Sequence, residues 1–318
     1  MRTYTVLGKA YREKRKDSHG KIQVPLINSY MSLHNEQKAK RRRSLHIIKM
    51  EFKAFVIDLD GSVYHGNNLI ERADEALKFI GKKYDILFLT NNSTRSRAEF
   101  ARKLANFGIS CTKQQLITSG YASAQYIQEH YAGSSVYVIG EQGLKDELTE
   151  HDITICEEDC DCVLVGLDKE FNYNKMSKAL NFILKGAVFI ATNTDPFLIT
   201  SDGVKPGAGS LVTAIETASG KKAIVTGKPS AFITDLIVKE LKVKPEEILI
   251  VGDNLQTDIL MGIKGGMRTA LVLTGASKLS DIGKSKISPD YIFKSIKHIP
   301  PFLDKNLRDG RTEKDYQD

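Results

Sequence analysis

From residue 52 onward, short wholly apolar runs alternate with longer segments whose apolar positions recur every three or four residues. The runs at 54–57, 86–89, 136–139, 163–165, 188–191, 223–225, 248–251 and 270–273 have the length and composition of strands buried on both faces. Between most of them the spacing predicts helices. One covers 73–80, with Ala73, Leu77 and Ile80 on one face, and another covers 98–107 and stops at Gly108. Others cover 175–184, 210–217, 231–241 and 257–263. This alternation predicts an α/β fold built on a parallel sheet.

Residues 1–49 have no such period. They hold thirteen Lys and Arg against three acids, so this stretch is +10 and the remainder of the +7 chain is −3. The Lys38-Ala-Lys-Arg-Arg-Arg43 run could contact nucleic acid or act as a targeting tail. The simpler expectation is a disordered basic extension, or one lying upstream of a natural start at Met50. A net-acidic body argues against a nucleic-acid surface, so no nucleic-acid partner is expected. Residues 304–318 form a charged tail, expected to be loose.

The composition is that of an ordinary soluble protein, 41% hydrophobic and 27% charged, with length enough for two domains. No apolar run approaches the ~20 residues of a membrane span. No apolar N-terminal segment marks secretion. A cytoplasmic enzyme without a membrane partner is expected. Three of the four cysteines, Cys156, Cys160 and Cys162, cluster among acids without the paired spacing of a zinc site. The plain reading is a loop that enters a strand at Cys162.

Four segments share one character: each follows an apolar run and ends in polar groups. In open α/β sheets, sites form at the carboxyl ends of strands, so the four can converge. The first is Asp58-Leu59-Asp60-Gly61. In an extended chain, residues two apart face one side, which sends both carboxylates to one pocket, and Gly61 permits a sharp turn. A calcium-binding EF-hand loop does not fit, because Leu69 stands where its bidentate Glu would be.

The second is Thr90-Asn91-Asn92-Ser93, whose hydroxyl, amide and backbone groups suit a phosphate, or equally an Asn-rich turn. The third, Thr226-Gly227-Lys228-Pro229-Ser230, offers a lysine for phosphoryl oxygens. It is not a Walker loop, whose glycine spacing it lacks and whose Ser/Thr position holds Pro229. The fourth, Val251-Gly252-Asp253-Asn254 followed by Thr257-Asp258, delivers Asp253 as an oxygen ligand for Mg²⁺. Asp258 could be another ligand, support one from behind, or merely favour the start of a helix.

In this order the four segments resemble the haloacid dehalogenase (HAD) superfamily of phosphatases. More narrowly, Asp58-Leu-Asp-Gly-Ser-Val-Tyr-His-Gly66, Leu89-Thr-Asn-Asn-Ser93, Pro206-Gly-Ala-Gly-Ser210, Gly227-Lys-Pro-Ser230 and Gly252-Asp-Asn-Leu-Gln-Thr-Asp258 are similar to subfamily IIA, the NagD, 4-nitrophenylphosphatase and phosphoglycolate phosphatase-like enzymes. The similarity runs from about Phe52 to Leu303. It implies a Rossmann-like parallel-sheet core, residues 50–131 and 222–303, and an inserted C2-type α/β cap, residues 132–221.

It further implies an aspartyl-phosphate mechanism, with Asp58 as nucleophile and Asp60 as general acid and base. Mg²⁺ would be held by Asp58, Asp60 through its backbone carbonyl, and Asp253, with Asp258 in support. Thr90, Asn91, Asn92 and Lys228 would bind the phosphate. The substrate would be a small phosphorylated metabolite, and a homodimer could form through the cap.

Substrate choice would rest on the segment from Asn193 through Asp195 to Asp202. Pyridoxal-phosphate phosphatases of the group carry a His there. Aligned on Ser201-Asp202-Gly203, this chain has Leu198 instead, which does not match a vitamin-phosphate specificity. The Pro206-Gly-Ala-Gly-Ser210 stretch reads as a helix-start turn where cap meets core, because Val212 replaces the third glycine of G-x-G-x-x-G. Two other readings share the residues. A phosphoryl-transferring mutase usually has a much smaller cap. A phospho-acceptor signalling module lacks both the Asp60 role and the long insertion.

Overall fold

The structure is a computed structural model that describes residues 52–200 and 203–308. The basic extension, the end of the charged tail, Ser201 and Asp202 lie outside the described residues. The chain runs β1 (Ala54–Asp58), β2 (Tyr64–His65), β3 (Asn68–Leu69), α1 (Ala73–Ile80), β4 (Asp85–Thr90), α2 (Arg97–Asn106), β5 (Leu116–Thr118) and α3 (Ser119–His130). It continues through β6 (Val136–Ile139), α4 (Gln142–Glu150), β7 (Cys162–Val165), α5 (Tyr173–Leu184), β8 (Val188–Ala191), the hairpin β9 (Phe197–Thr200) and β10 (Gly203–Pro206), α6 (Ala208–Ser219) and β11 (Ile224–Val225). The last part holds α7 (Ala231–Leu241), β12 (Ile248–Gly252), α8 (Leu260–Lys264), β13 (Arg268–Val272), α9 (Leu279–Lys284), β14 (Tyr291–Phe293) and α10 (Ile299–Arg308). Helix α10 reaches into the expected tail.

Two parallel sheets organise these elements. The larger has the order β14-β13-β12-β1-β4-β5, and the smaller β11-β8-β7-β6. Strands β1 and β12 are buried along their whole length, as their uninterrupted apolar runs require. The smaller sheet is inserted in the chain between β5 and α7. Its edge strand β11, expected among the core pieces from residue 222, pairs with β8. It is only two residues long, too short for its own pattern to say which sheet it joins.

Helix α3 serves both sheets. Tyr121 and Ala122 pack with β1, β4 and β12, whereas Ala124 and Ile127 pack with β6 and β7. A buried ion pair ties the insertion to the larger sheet's helices. Glu147 in α4 accepts from the backbone N–H and Nε of Arg97, at 2.6 and 2.9 Å, and the guanidinium lies 3.7 Å from the Tyr121 ring centre. Without Glu147 the buried Arg97 guanidinium loses its buried partner and keeps the partly exposed Glu150 at 3.6 Å. Glu147→Ala should therefore lose about 3–5 kcal/mol of stability, read from chemical denaturation.

Cys156 and Cys160 form a disulfide, and Cys162 is the buried first residue of β7. The loop enters its strand at Cys162, as expected. Among the described residues no helix is long and apolar enough to cross a membrane.

Candidate active site

Strand β1 lies between β4 and β12 in the larger sheet, so the chain leaves it to opposite sides. The crevice beyond β1 is the switch point where α/β sheets bind ligands. Asp58 is the last residue of β1, Thr90 the last of β4, and Asp253 directly follows β12. The sequence segments therefore meet because their strands are neighbours. Lys228 arrives from the smaller sheet, in the turn between β11 and α7, behind a cis Lys228–Pro229 bond.

Asp58 is buried. Its Oδ1 lies 2.6 Å from Lys228 Nζ, and its Oδ2 has no hydrogen-bond partner among the described residues. Asp258 Oδ1 is 2.7 Å from the same ammonium, while its Oδ2 accepts from Asn254 N at 3.1 Å. Asp258 reaches inward because the helix after β12 opens with a π-helical turn, Leu255–Ile259, and because a side chain on Gly252 would collide with it. Asp253 Oδ2 accepts from Ala276 N at 2.5 Å. Gly61, with φ of 90°, and Gly275 both leave room for that carboxylate, since a Cβ on either would overlap it. Gly275→Ala should displace Asp253 and cost about 1–3 kcal/mol of stability, read from chemical denaturation.

Carboxylate oxygens of Asp58, Asp253 and Asp258 all lie within 4.8 Å of one another. Three carboxylates thus face one ammonium, and with all three ionised the excess of two negative charges is one that a divalent cation would cancel. Together with the orphaned Asp58 Oδ2, this donor set fits a hard oxygen-seeking ion. Burial, opposed by Lys228 and reinforced by Asp258 and Asp253, holds the Asp58 carboxyl well above its usual range. Burial and then Asp258 push Asp253 up to about 7. Burial works to lower Lys228, but Asp258 and Asp58 override it and keep the ammonium charged.

The Asp60 carboxylate is not in that group. It turns to the Tyr64 hydroxyl at 3.5 Å. It admits water yet sits deep among protein atoms, and this partial desolvation raises its pKa against the lowering charges of Lys103 and Lys228. The Lys103 ammonium lies 3.5 Å from the centre of the Tyr64 ring. Thr90 is buried and its hydroxyl accepts from Asn92 N at 3.1 Å. The Asn91 and Asn92 side chains both bond to protein. Asn92 Oδ1 accepts from Thr94 N and Oγ1, at 2.9 and 2.7 Å, and Asn91 bonds to Lys228 and Asp195.

The family model described as haloacid dehalogenase-like hydrolase matches residues 55–154, and a second, HAD-hydrolase-like, matches 225–299. A 5'-nucleotidase of Bacillus subtilis, YutF, is 38% identical over 255 residues, 79% of this chain and 99% of its own. The chain belongs to the haloacid dehalogenase-like hydrolases. Its class of activity within them is phosphoric monoester hydrolysis. A p-nitrophenyl phosphatase structure from Archaeoglobus fulgidus superposes with a TM-score of 0.76 at 31% identity, over 80% of this chain and all of that one. A glycerol phosphate phosphatase of Mycobacterium tuberculosis, in complex with magnesium, gives 0.73 at 31% identity over 79% and 77% of the two chains.

In this hydrolase the glycine-rich stretch is a helix-start turn, as expected. Gly207 caps α6, and Gly207 and Gly209 pack against the backbone of Thr194 and Asp195. Asp195, expected in the substrate-choice segment, also bonds to Asn91 at 3.0 Å, a contact the sequence reading did not foresee. The signal was there, since Thr192-Asn193-Thr194-Asp195 follows strand β8 with the same apolar-then-polar change as the other four segments.

Proposed function

We propose that this enzyme is a Mg²⁺-dependent phosphatase of small phosphate monoesters that works through an aspartyl-phosphate on Asp58. The observation that carries this reading is the trio of buried carboxylates around one ammonium at the β1 switch point. Asp58 attacks phosphorus, the ester P–O bond breaks, and Asp60 gives its proton to the leaving oxygen. Asp60 then takes a proton from the water that attacks the aspartyl-phosphate. That step restores the Asp58 carboxylate and releases inorganic phosphate. The raised carboxyl of Asp60 suits it to arrive protonated. Lys228, the Thr90 hydroxyl and the Asn91 backbone hold the phosphoryl oxygens.

Asp58, Asp253 and the Asp60 backbone carbonyl would hold Mg²⁺. Asp258, whose two oxygens already bond to Lys228 and Asn254, supports from behind. Bound there, the ion would neutralise the excess negative charge and polarise the phosphoryl group. We take residues 132–221, together with β11, as the cap that selects the leaving group. The names of the relatives point to nucleotide, glycerol phosphate and p-nitrophenyl phosphate esters as the substrates to try first. Purified protein with Mg²⁺ should release phosphate from p-nitrophenyl phosphate. An enzyme inert toward a panel of sugar, nucleotide and glycolate phosphates as well would sink the reading.

A pH dependence follows. Carboxyls raised above their unfolded value of about 4 keep protons better when folded, so metal-free stability falls as pH rises through that value toward about 7. A cation needs those carboxylates ionised. The rise in Tm given by Mg²⁺ should be small near about pH 5 and grow toward about pH 8. Thermal denaturation with and without the ion checks this, and equal shifts at both pH values would contradict it.

A further inference from the structure

The Asn91 side chain bonds to protein through both its oxygen and its nitrogen. Its Oδ1 accepts from the Lys228 backbone N–H at 2.8 Å. Its Nδ2 donates to the Lys228 carbonyl at 3.2 Å and to Asp195 Oδ2 at 3.0 Å. The amide thus grips the Lys228 backbone at two points and spends its remaining N–H on Asp195. We propose that Asp195 is a positioning residue for Lys228, acting through the side chain of Asn91. The proposal rests on the reading that Lys228 holds the phosphoryl group.

The surroundings leave this linkage little play. The Asn91 carbonyl accepts from Ser119 Oγ at 2.6 Å and Asn193 Nδ2 at 2.8 Å. Asp195 is itself fixed, its N–H donating to Asn193 Oδ1 at 3.1 Å and its carbonyl accepting from Gly209 N at 2.9 Å. Gly227 N donates to Thr192 O at 2.9 Å, and a Cβ on Gly227 would press on Thr192 O and Asn91 Oδ1. The stretch 192–195 therefore sets where the Lys228 backbone lies.

From there the long side chain reaches Asp58 Oδ1 at 2.6 Å. A carboxylate accepting from an amide N–H makes a charge-assisted bond, and it fixes which way round the Asn91 amide stands. With Asp195 removed, the amide can rotate, the two-point grip on Lys228 loosens, and the ammonium loses its aim. The same stretch leads into the β9–β10 hairpin, part of the segment expected to set substrate choice. Asp195 would thus join leaving-group recognition to the lysine that binds phosphate.

The test is kinetic, with the full-length enzyme, Mg²⁺, p-nitrophenyl phosphate and a sugar phosphate. Asp195→Ala should lower kcat by about 10- to 100-fold with little change in KM, and by the same factor for both substrates. Asp195→Asn can turn its own carbonyl toward the Asn91 amide and should stay within about threefold of wild type. Asn91→Ala should lose at least as much as Asp195→Ala, and the double variant no more than Asn91→Ala alone. Should Asp195→Ala fail to fold, Asp195→Ser, too short to reach Asn91, takes its place with the same expectation. Additive losses, a loss confined to one leaving group, or an unimpaired Asp195→Ala would each overturn the proposal. An inert wild type would instead overturn the phosphatase reading beneath it.

Discussion

Asp58→Asn is expected to abolish turnover, lowering kcat by about four orders of magnitude or more. The substitution keeps shape and nearly keeps volume, so the fold and the Lys228 contact survive in outline. On the proposed mechanism the nucleophile disappears, since an amide oxygen at the end of β1 cannot form a stable acyl phosphate. The loss should be in kcat, with substrate binding largely intact, because Thr90 and Lys228 still face the pocket. Removing one of three clustered carboxylates also relieves repulsion. Metal-free Asp58→Asn should therefore be no less stable than wild type, while gaining less from Mg²⁺. A variant that retained even a hundredth of wild-type kcat would speak against covalent catalysis at this residue.

Lys228→Met should cost both activity and stability. In wild type the ammonium is, among the described residues, the single cation within bonding distance of Asp58 and Asp258, and all three side chains are buried. Its loss leaves those carboxylates without a countercharge, a change worth about 3–5 kcal/mol in buried pairs. On the proposed mechanism the phosphoryl group also loses a donor, which typically costs about 100- to 1,000-fold in kcat. Mg²⁺ should recover part of the stability but not the rate. Lys228→Arg is a poor rescue, because a planar guanidinium cannot fit between two carboxylates placed for a compact ammonium. Denaturation curves with and without Mg²⁺ test the stability half. An unchanged midpoint in the metal-free protein would show that Lys228 does not balance the buried acids.

How much of this was legible beforehand differs from residue to residue. Asp58, Thr90 and Asp253 stood out because a buried parallel strand is an unbroken apolar run, and its end is marked by the first polar side chain. The order β12-β1-β4 makes those three ends neighbours in space. Asp258 was visible as an acid near a helix start, but its inward turn depends on a π-helical opening and on Gly252, which no periodicity announces. Helix α3 escaped notice because Ser119-Gly120-Tyr121-Ala122-Ser123-Ala124 mixes small and polar residues, and packing on two sides removes the one-faced pattern. Helix α4 is short and mostly polar. Asn91 stood out as a residue whose backbone would hold phosphate. The bonds of its side chain to the Lys228 backbone and to Asp195 show only with residues 192–195 placed beside it. The pairing of Cys156 with Cys160 likewise depends on a loop geometry that spacing alone did not reveal.

The most direct test of the central claim is to trap the intermediate. Wild-type enzyme turning over p-nitrophenyl phosphate with Mg²⁺ is quenched in acid, treated with borohydride, which reduces an acyl phosphate, and mapped by peptide mass spectrometry. The expected result is a reduced side chain at position 58 in the quenched sample and at no other acid, with nothing trapped when substrate is omitted. Reduction at a different carboxylate would contradict the assignment of Asp58 as nucleophile. So would rapid turnover that leaves no trapped group under any quench time.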